Sequence, residues 1–360
     1  MEKYDVCILG GGASGLAAAA SLDENLKICL LEKNKILGRK IMATGGGRCN
    51  ITNRGCRYRD LTLDFFKSMG IEAYCDQEGR YYPYSNQASD VVKALEARVK
   101  DKRISVYTEF NASGVSGEKG DFFISDGKKT VAASKLVLAA GGKSAPFMGS
   151  TGDGYTFARK LGHEIKKLYP VLTPLECGDF EDIKGVRAKG GVSLYRDGKL
   201  VDREEGEIQF TEDGISGICV MNLTLNIKAE EGENIADALK RYALELDLAP
   251  DFTEEEIGKR SSSFGILTEK LSKRVSLEEI KGWRLPVLGV KGWKNAQCTA
   301  GGVNLEEVDC RTMESKLVGG LYIVGEVLDF QQKCGGFNLQ NAWETGIKAA
   351  EHINRTLAGV

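Results

Sequence analysis

A chain of 360 residues is longer than one ordinary core accommodates, so two or three domains are expected. Its 42% hydrophobic and 28% charged residues exclude a disordered or low-complexity chain, and no apolar run is long enough to cross a bilayer. A formal net charge of -2 excludes an overall basic field, so neither nucleic acid nor membrane is expected as a partner, with local patches left open.

The first strand begins almost at the N-terminus, leaving no room for a signal peptide, and the ten cysteines include no C-x-x-C pair. They read as reduced thiols of a cytoplasmic protein, with Cys7 and Cys29 in core strands. His163 and His352 lie near no cluster of ligand spacing, so no metal site is expected.

Tyr4 to Glu32 read YDVCILGGGASGLAAAASLDENLKICLLE, a buried strand, a glycine turn, a small-residue helix, a second strand and a terminal acid. Gly10, Gly12 and Gly15, with Ala13 and Ser14 between them, have the spacing of a dinucleotide-binding turn. Gly10 lets the chain leave the strand sharply, Gly12 lets backbone approach a pyrophosphate, and Gly15 lets the helix pack on the sheet. Phosphates would meet the helix N-terminus. Glu32, followed by Lys33, stands where an acid accepts hydrogen bonds from ribose hydroxyls. A purely structural turn is the alternative, and the strand, the alanine run and the acid together favour the nucleotide.

In Lys33 to Asn53 the run Gly45, Gly46, Gly47 is flanked by Thr44, Arg48, Cys49 and Asn50. Such a loop can lay its backbone on a flat ligand, where a bare hairpin tip would not need these neighbours. Arg39 and Lys40 either neutralise a pyrophosphate or are solvated charges. Leu61 to Gly70 has helical spacing, and a second amphipathic helix follows, capped by Ser89 or Asp90. Tyr81, Tyr82 and Tyr84 line a pocket for a planar substrate or pack in the core. Arg103 to Ala140 reads as short strands and turns, and its last piece, KLVLAA, ends at Ala140, Gly141 and Gly142, where open α/β sheets gather ligands. Thr151 to Gly154 opens a helix that either closes on a ligand or merely begins there.

Pro170 and Pro174 mark an exit from this domain. Val171 to about Leu225 alternates as a small barrel or sandwich, and Ala229 to Arg284 is charged and helical, with ENIADALKRYALELDL and TEKLSKRV as amphipathic pieces. The chain returns at Asn295. A strand within Leu317 to Val324 ends at Gly325 and Glu326, and Gly335, Gly336 and Asn338 open a helix over Leu339 to Ile353.

The turn Gly10 to Gly15 and the runs GRKIMATGGGRCNITN, TAGGV, TMESK and GEVLDFQQKCGGFNLQNAW together resemble bacterial FAD-binding flavoproteins of the aminoacetone-oxidase-like and dehydro-bile-acid-reductase-like family. The resemblance runs from end to end. It implies an α/β fold, a glutathione-reductase-type FAD-binding Rossmann domain with an inserted β-rich domain and a helical segment. The corresponding boundaries are 1–170 with 296–360, then 171–228, then 229–295. It implies further that backbone near Val115 meets adenine, that Glu326 accepts from the ribityl chain, and that the helix opened by Gly335 points at the flavin pyrimidine edge. Asn53 to Arg80 is short for the family, which puts in doubt any substrate contact supplied there.

FAD is thus the expected cofactor, with NAD(P)H as a transient visitor, because only one dinucleotide turn is present and a disulfide reductase would need a second and a cysteine pair. The leading expectation is reduction of an activated C=C bond in a small-molecule substrate, a steroid-like or dehydro-bile-acid-like enone. The alternatives are an oxidase passing electrons from a small amine to O2, a flavin-loaded sensor, and a plain NAD dehydrogenase without flavin. Arg48 is a candidate for polarising a substrate oxygen, with a hydrogen bond to flavin or backbone the favoured alternative, and Cys334 for donating a proton or packing its sulfur on the ring, with a spectator role favoured.

Overall fold

The structure, a computed structural model, describes residues 3–118, 120–230 and 232–359. The chain divides into two compact units, Met1–Tyr169 with Cys298–Val360, and Pro170–Gln297.

In the first unit, the run Lys3–Leu9 is covered on both faces, with Val6, Cys7 and Ile8 fully buried, as a central parallel strand requires. It pairs in parallel with Ile28–Leu31 on one side and Thr130–Leu138 on the other, Val6 standing between Ile28 and Lys135. Ser105–Tyr107 extends the parallel set beyond Ile28–Leu31, and Leu321–Ile323 joins it alongside the second half of Thr130–Leu138. The first half of that same strand pairs antiparallel with Asp121–Ser125, which in turn pairs with Gly114–Glu118. The KLVLAA piece is therefore the end of one nine-residue strand that serves both the meander and the parallel sheet.

The helix Ala13–Ser21 is built of small residues because the C-terminal helix Phe337–Ala358 lies against it. A methyl group at Gly346 would run into the Ser14 carbonyl oxygen. Trp343 on that C-terminal helix is fully buried, donates from Nε1 to the Ile51 carbonyl at 3.0 Å and stands edge-on to Phe66 at 5.1 Å. The helix Ala88–Asp101 starts after Gln87 with no side-chain cap. Neither Ser89 nor Asp90 caps it; Asp90 lies in the first turn, where its charge suits the helix dipole.

The second unit is one antiparallel sheet of seven strands among the described residues, and its two ends are joined. Trp283–Pro286 pairs with Tyr242–Asp247 at one end and Gly289–Val290 with Leu175–Glu176 at the other, yet the two are neighbours in sequence. The sheet accordingly curls round its own core, in which Phe180 meets Phe210 at 5.5 Å and Trp283 at 5.7 Å, both edge-on to Phe180. The separate helical segment expected over 229–295 is not found. Tyr242–Asp247, read as helix, alternates buried and exposed residues and pairs with Arg187–Arg196, Leu244 opposite Leu194 and Leu246 opposite Val192. Its helices are single short turns, Ile235–Leu239, Glu254–Gly258 and Glu269–Ser272.

Back in the first unit, His163 is a buried strut rather than a ligand. Ser315 Oγ accepts from the N–H groups of Leu317 and Val318 at 3.1 and 2.9 Å, so its hydrogen is free to point at His163 Nε2, 2.8 Å away. Nδ1 then carries the imidazole hydrogen and donates to Glu307 Oε2 at 2.9 Å. Burial lowers the histidine pKa by more than Glu307 raises it. An unfolded histidine takes its proton near 6.5 and this one only at lower pH. Between those values the unfolded chain binds more protons, so stability falls as pH falls, and above 6.5 the contribution is complete and flat. Thermal melts between pH 7.5 and 5 should show that acid-side loss. His163→Gln, which stays neutral, should remove it; an unchanged slope would contradict the assignment.

Candidate functional site

Gly12, the N-cap of the first helix, faces open space, and a methyl group placed on it would have no neighbour within 4 Å. Gly15 is the opposite case, because a methyl group there would collide with the Gly10 carbonyl oxygen. One glycine leaves room for a ligand and the other lets strand and helix meet. Ser14 is buried with its hydroxyl against Gly325, so the fingerprint and the C-terminal return of the chain touch here. Glu32 is buried at the end of its strand and already accepts three bonds: Gly11 N at 2.8 Å on Oε2, Asn34 N at 2.7 Å and Asn34 Nδ2 at 2.6 Å on Oε1. A carboxylate offers about four such positions, so about one remains for a ribose hydroxyl. Lys33 is engaged elsewhere, in an ion pair with Asp153 at 2.6 Å and a hydrogen bond to Thr151. The Thr151 to Gly154 turn thus closes on Lys33. Arg39 is exposed and donates to Asn34 Oδ1 at 3.1 Å, and the Val115 side chain lies buried in the core.

Lys40 is not a solvated charge. Its ammonium pairs with Glu326 Oε2 at 2.8 Å and reaches the Ser144 carbonyl at 3.4 Å. Burial lowers the lysine pKa, but the neighbouring Glu326, with Cys298, more than offsets this and the net shift is upward, so Lys40 stays charged. Glu326 Oε1 accepts from Thr299 N at 3.0 Å, and the Tyr155 hydroxyl donates to the Glu326 carbonyl at 3.1 Å. Thr299 Oγ1 receives Lys143 N at 2.8 Å and Ser144 N at 3.2 Å, which fixes the strand-end loop after Ala140. Gly142 must be glycine for this, since a Cβ would lie 2.5 Å from both Glu326 Oε1 and Thr299 Oγ1. The result is an anchored carboxylate at the end of the parallel sheet, next to a cation.

Thr44–Gly47 is a tight turn in which Gly45, Gly46 and Gly47 all have positive φ, and nothing lies within 4 Å of a methyl group built on Gly46 or Gly47. Arg48 follows, its side chain laid over the Tyr82 ring at 4.3 Å, with Nε donating to Gly45 O at 3.2 Å and a guanidinium nitrogen donating to the Tyr82 hydroxyl at 3.4 Å. Arg48 is exposed and Tyr82 is buried beneath it. Cys49 is fully buried and burial pushes its thiol up to about 12, which makes it inert at neutral pH.

The C-terminal helix begins at Phe337, not Leu339, with Gly336 as its N-cap at φ 100 and no side chain capping it. Asn53 Nδ2 donates to Gly335 O at 2.8 Å and Thr52 Oγ1 meets Gln340 Oε1 at 2.5 Å, so this helix end is tied to the glycine-loop segment. Asn338 lies in the first turn of the helix. It closes its own loop, accepting from Gln332 N at 2.9 Å and donating to Gln332 O at 2.8 Å. Leu339 packs against the core, and Cys334 is half-buried directly before the glycines. Two buried oxygens have no hydrogen-bond partner among the described residues of this unit's loops, Asn50 Oδ1 and Gln331 Oε1.

These features fit FAD: an open glycine turn for phosphates, two anchored acids for hydroxyls, a bare glycine loop for a flat ring, and orphaned acceptors beside a free helix end. Asn34, Ser144, Tyr155, Thr299 and Gln331 were missed by sequence reasoning. Only Thr299 carried a signal, its place before the Gly301–Gly302 pair.

The two roles of glycine separate by substitution. Gly12→Ala should leave the melting temperature of the apoprotein nearly unchanged and weaken FAD on the order of tenfold, whereas Gly15→Ala should cost roughly 1–3 kcal/mol of stability through overpacking. Calorimetry and flavin titration of both variants distinguish the two, and equal behaviour would contradict the assignment.

The chain matches the family described as HI0933-like protein Rossmann domain over residues 4–63 and 56–352. It is 31% identical to the 3-dehydro-bile acid delta(4,6)-reductase of Clostridium scindens, covering 95% of this chain and 97% of that protein. It is 25% identical to the ribosomal RNA dihydrouridine synthase of Escherichia coli, covering 98% of each. Among solved structures, the 3-ketosteroid-delta4-(5alpha)-dehydrogenase of Rhodococcus jostii, in complex with 4-androstene-3,17-dione, shares the fold at TM-score 0.52 and 13% identity, over 98% of this chain and 97% of that one. The chain belongs to the HI0933-like family of Rossmann-domain flavoproteins and is an FAD-dependent oxidoreductase.

Proposed function

We propose that this protein reduces a carbon–carbon double bond conjugated to a carbonyl, taking electrons from NAD(P)H. The observation that carries the reading is Arg48, an exposed guanidinium held in one orientation by Tyr82 and Gly45 O beside the glycine loop. Addition of hydride to the β-carbon of an enone moves charge onto the carbonyl oxygen, and a fixed cation at that oxygen favours the step. FAD, when bound, supplies the hydride chemistry. The chain supplies the rest: anchored Glu326 and Glu32 to orient, the glycine loop to allow close approach, and Arg48 to receive the oxygen. Cys334, half-buried at the same helix end, is assigned the delivery of a proton to the α-carbon.

The names of two relatives support this reaction class, since a delta(4,6)-reductase of a 3-dehydro compound and a dihydrouridine synthase both saturate a double bond conjugated to a carbonyl. The nearer relative favours a steroid-like small molecule. A uracil ring in RNA is the second reading, favoured by a relative of nearly the same length. The protein's net charge of -2 argues against RNA, because an RNA-bound protein gains most of its affinity from basic contacts to phosphate.

Anaerobic mixing with NADH or NADPH should bleach the flavin, and a conjugated 3-ketosteroid should restore the colour while losing one double bond. Arg48→Ala should lower kcat/KM for the ketosteroid by about 10–100-fold with little change in the bleaching step. Bleaching by aminoacetone with peroxide formation, and not by either nicotinamide, would replace this reading with an amine oxidase; turnover of unmodified ribosomal RNA alone would replace the small molecule.

A further inference from the structure

Asn50 is 7% exposed, and its Oδ1 finds no hydrogen-bond donor among the described residues. A buried carbonyl oxygen left unmet is costly, so a chain that keeps one does so where something else brings the donor. The position of this atom is informative. It lies 2.7 Å from the point that a Cβ on Gly336 would occupy, and Gly336 is the uncapped N-cap of a 22-residue helix. The first-turn N–H groups of that helix, from Phe337 to Leu339, have no carbonyl within the helix to reach. A buried acceptor thus stands at the uncapped start of this helix, and a Cβ at position 336 would collide with it and with the Thr52 carbonyl, so only glycine fits there.

An imide edge runs acceptor, donor, acceptor, from carbonyl to N–H to carbonyl, and its complement must alternate the other way. A helix end alone offers donors and would leave the central N–H of such an edge unmet. We propose that Asn50 Oδ1 is the acceptor for the imide N–H of the flavin pyrimidine ring, with the N-terminus of helix Phe337–Ala358 receiving a flanking carbonyl. This rests on the FAD reading and deepens it by giving one side chain a defined atom to recognise. Asn50 is here a cofactor-binding and tuning residue. A neutral amide holds the N–H without adding charge, while the helix end beside it favours the negative charge that reduction places on the ring.

The test uses the full chain stripped of flavin and titrated with FAD and with 3-methyl-FAD, which lacks only the imide hydrogen. The wild-type chain should prefer FAD by about tenfold, the usual scale for one buried unmet donor. Asn50→Leu should lose that preference, binding both equally. Asn50→Asp should keep the preference and move the flavin midpoint potential to a more negative value, because a fixed anion then faces the reduced ring. Equal affinity of the wild-type chain for the two flavins overturns the proposal even if the Leu variant does not fold, as does discrimination that survives in Asn50→Leu. Uracil carries the same edge, so uridine and 3-methyluridine are titrated against the FAD-loaded chain. Sensitivity to the methyl group there, with none for the flavins, assigns the edge to a substrate and overturns the cofactor assignment. A chain that takes up neither flavin fails the FAD reading itself, and the missing yellow colour makes that failure distinct.

Discussion

The first unit depends on one close approach, that of the C-terminal helix to the helix that follows the dinucleotide turn. Gly346 packs against the Ser14 carbonyl and Gly325 against the Ser14 side chain, so chain segments more than 300 residues apart meet with no atom between them. Trp343, Gln340 and Gly335 then bond to Ile51, Thr52 and Asn53 in succession. Because these contacts are backbone-deep, the glycine loop after Ala43 and the helix end at Gly336 are positioned by the same core. A discontinuous unit needs such a joint, since a core closed by residues so far apart forms only when burial repays the ordering of the ends.

Electrostatics in the unit follow from that geometry. Both acids of the site are held by donors the fold supplies, Glu32 by Gly11 and Asn34, and Glu326 by Lys40 and Thr299. Carboxylates held this way keep a fixed orientation, so a hydroxyl docking on one need not pay to order it. Positive potential comes from helix ends more than from free side chains. Lys33 and Lys40 are each consumed in an ion pair, and the two helix N-caps, Gly12 and Gly336, offer no side chain to cap their helices.

Much of this was legible in the sequence because local rules and tertiary demands agree there. The fingerprint glycines, Glu32 and the Gly325–Glu326 strand end stand where spacing placed them, since their roles are set by backbone within a few residues. The partners of Asn338 and Lys33 were not legible for the opposite reason, as no local pattern reveals either one, Gln332 within the loop for Asn338 and the distant Asp153 for Lys33. ENIADALKRYALELDL shows the same limit in secondary structure. Its second half reads equally as helix with charged faces or as an alternating strand, and Arg187–Arg196 decides by offering Leu194 and Val192 as partners. The division at 228–229 failed with it, because the strand that was not foreseen belongs to the sheet on the other side of that boundary.

Arg48 draws these threads together. A guanidinium sealed in the core beside the ring would demand a permanent counterion, and its field would be spent on that partner. Left exposed it is stably charged, but water screens it and rotamer freedom scatters it. The structure takes a third course: the face of the guanidinium is covered by Tyr82, Nε is tied to Gly45 O, and the rest is left to solvent. Stacking removes the orientational freedom without neutralising the charge. In the reaction proposed above, a substrate carbonyl docking at Arg48 would displace the remaining water, so the cation would gain its full strength only once that oxygen is in place.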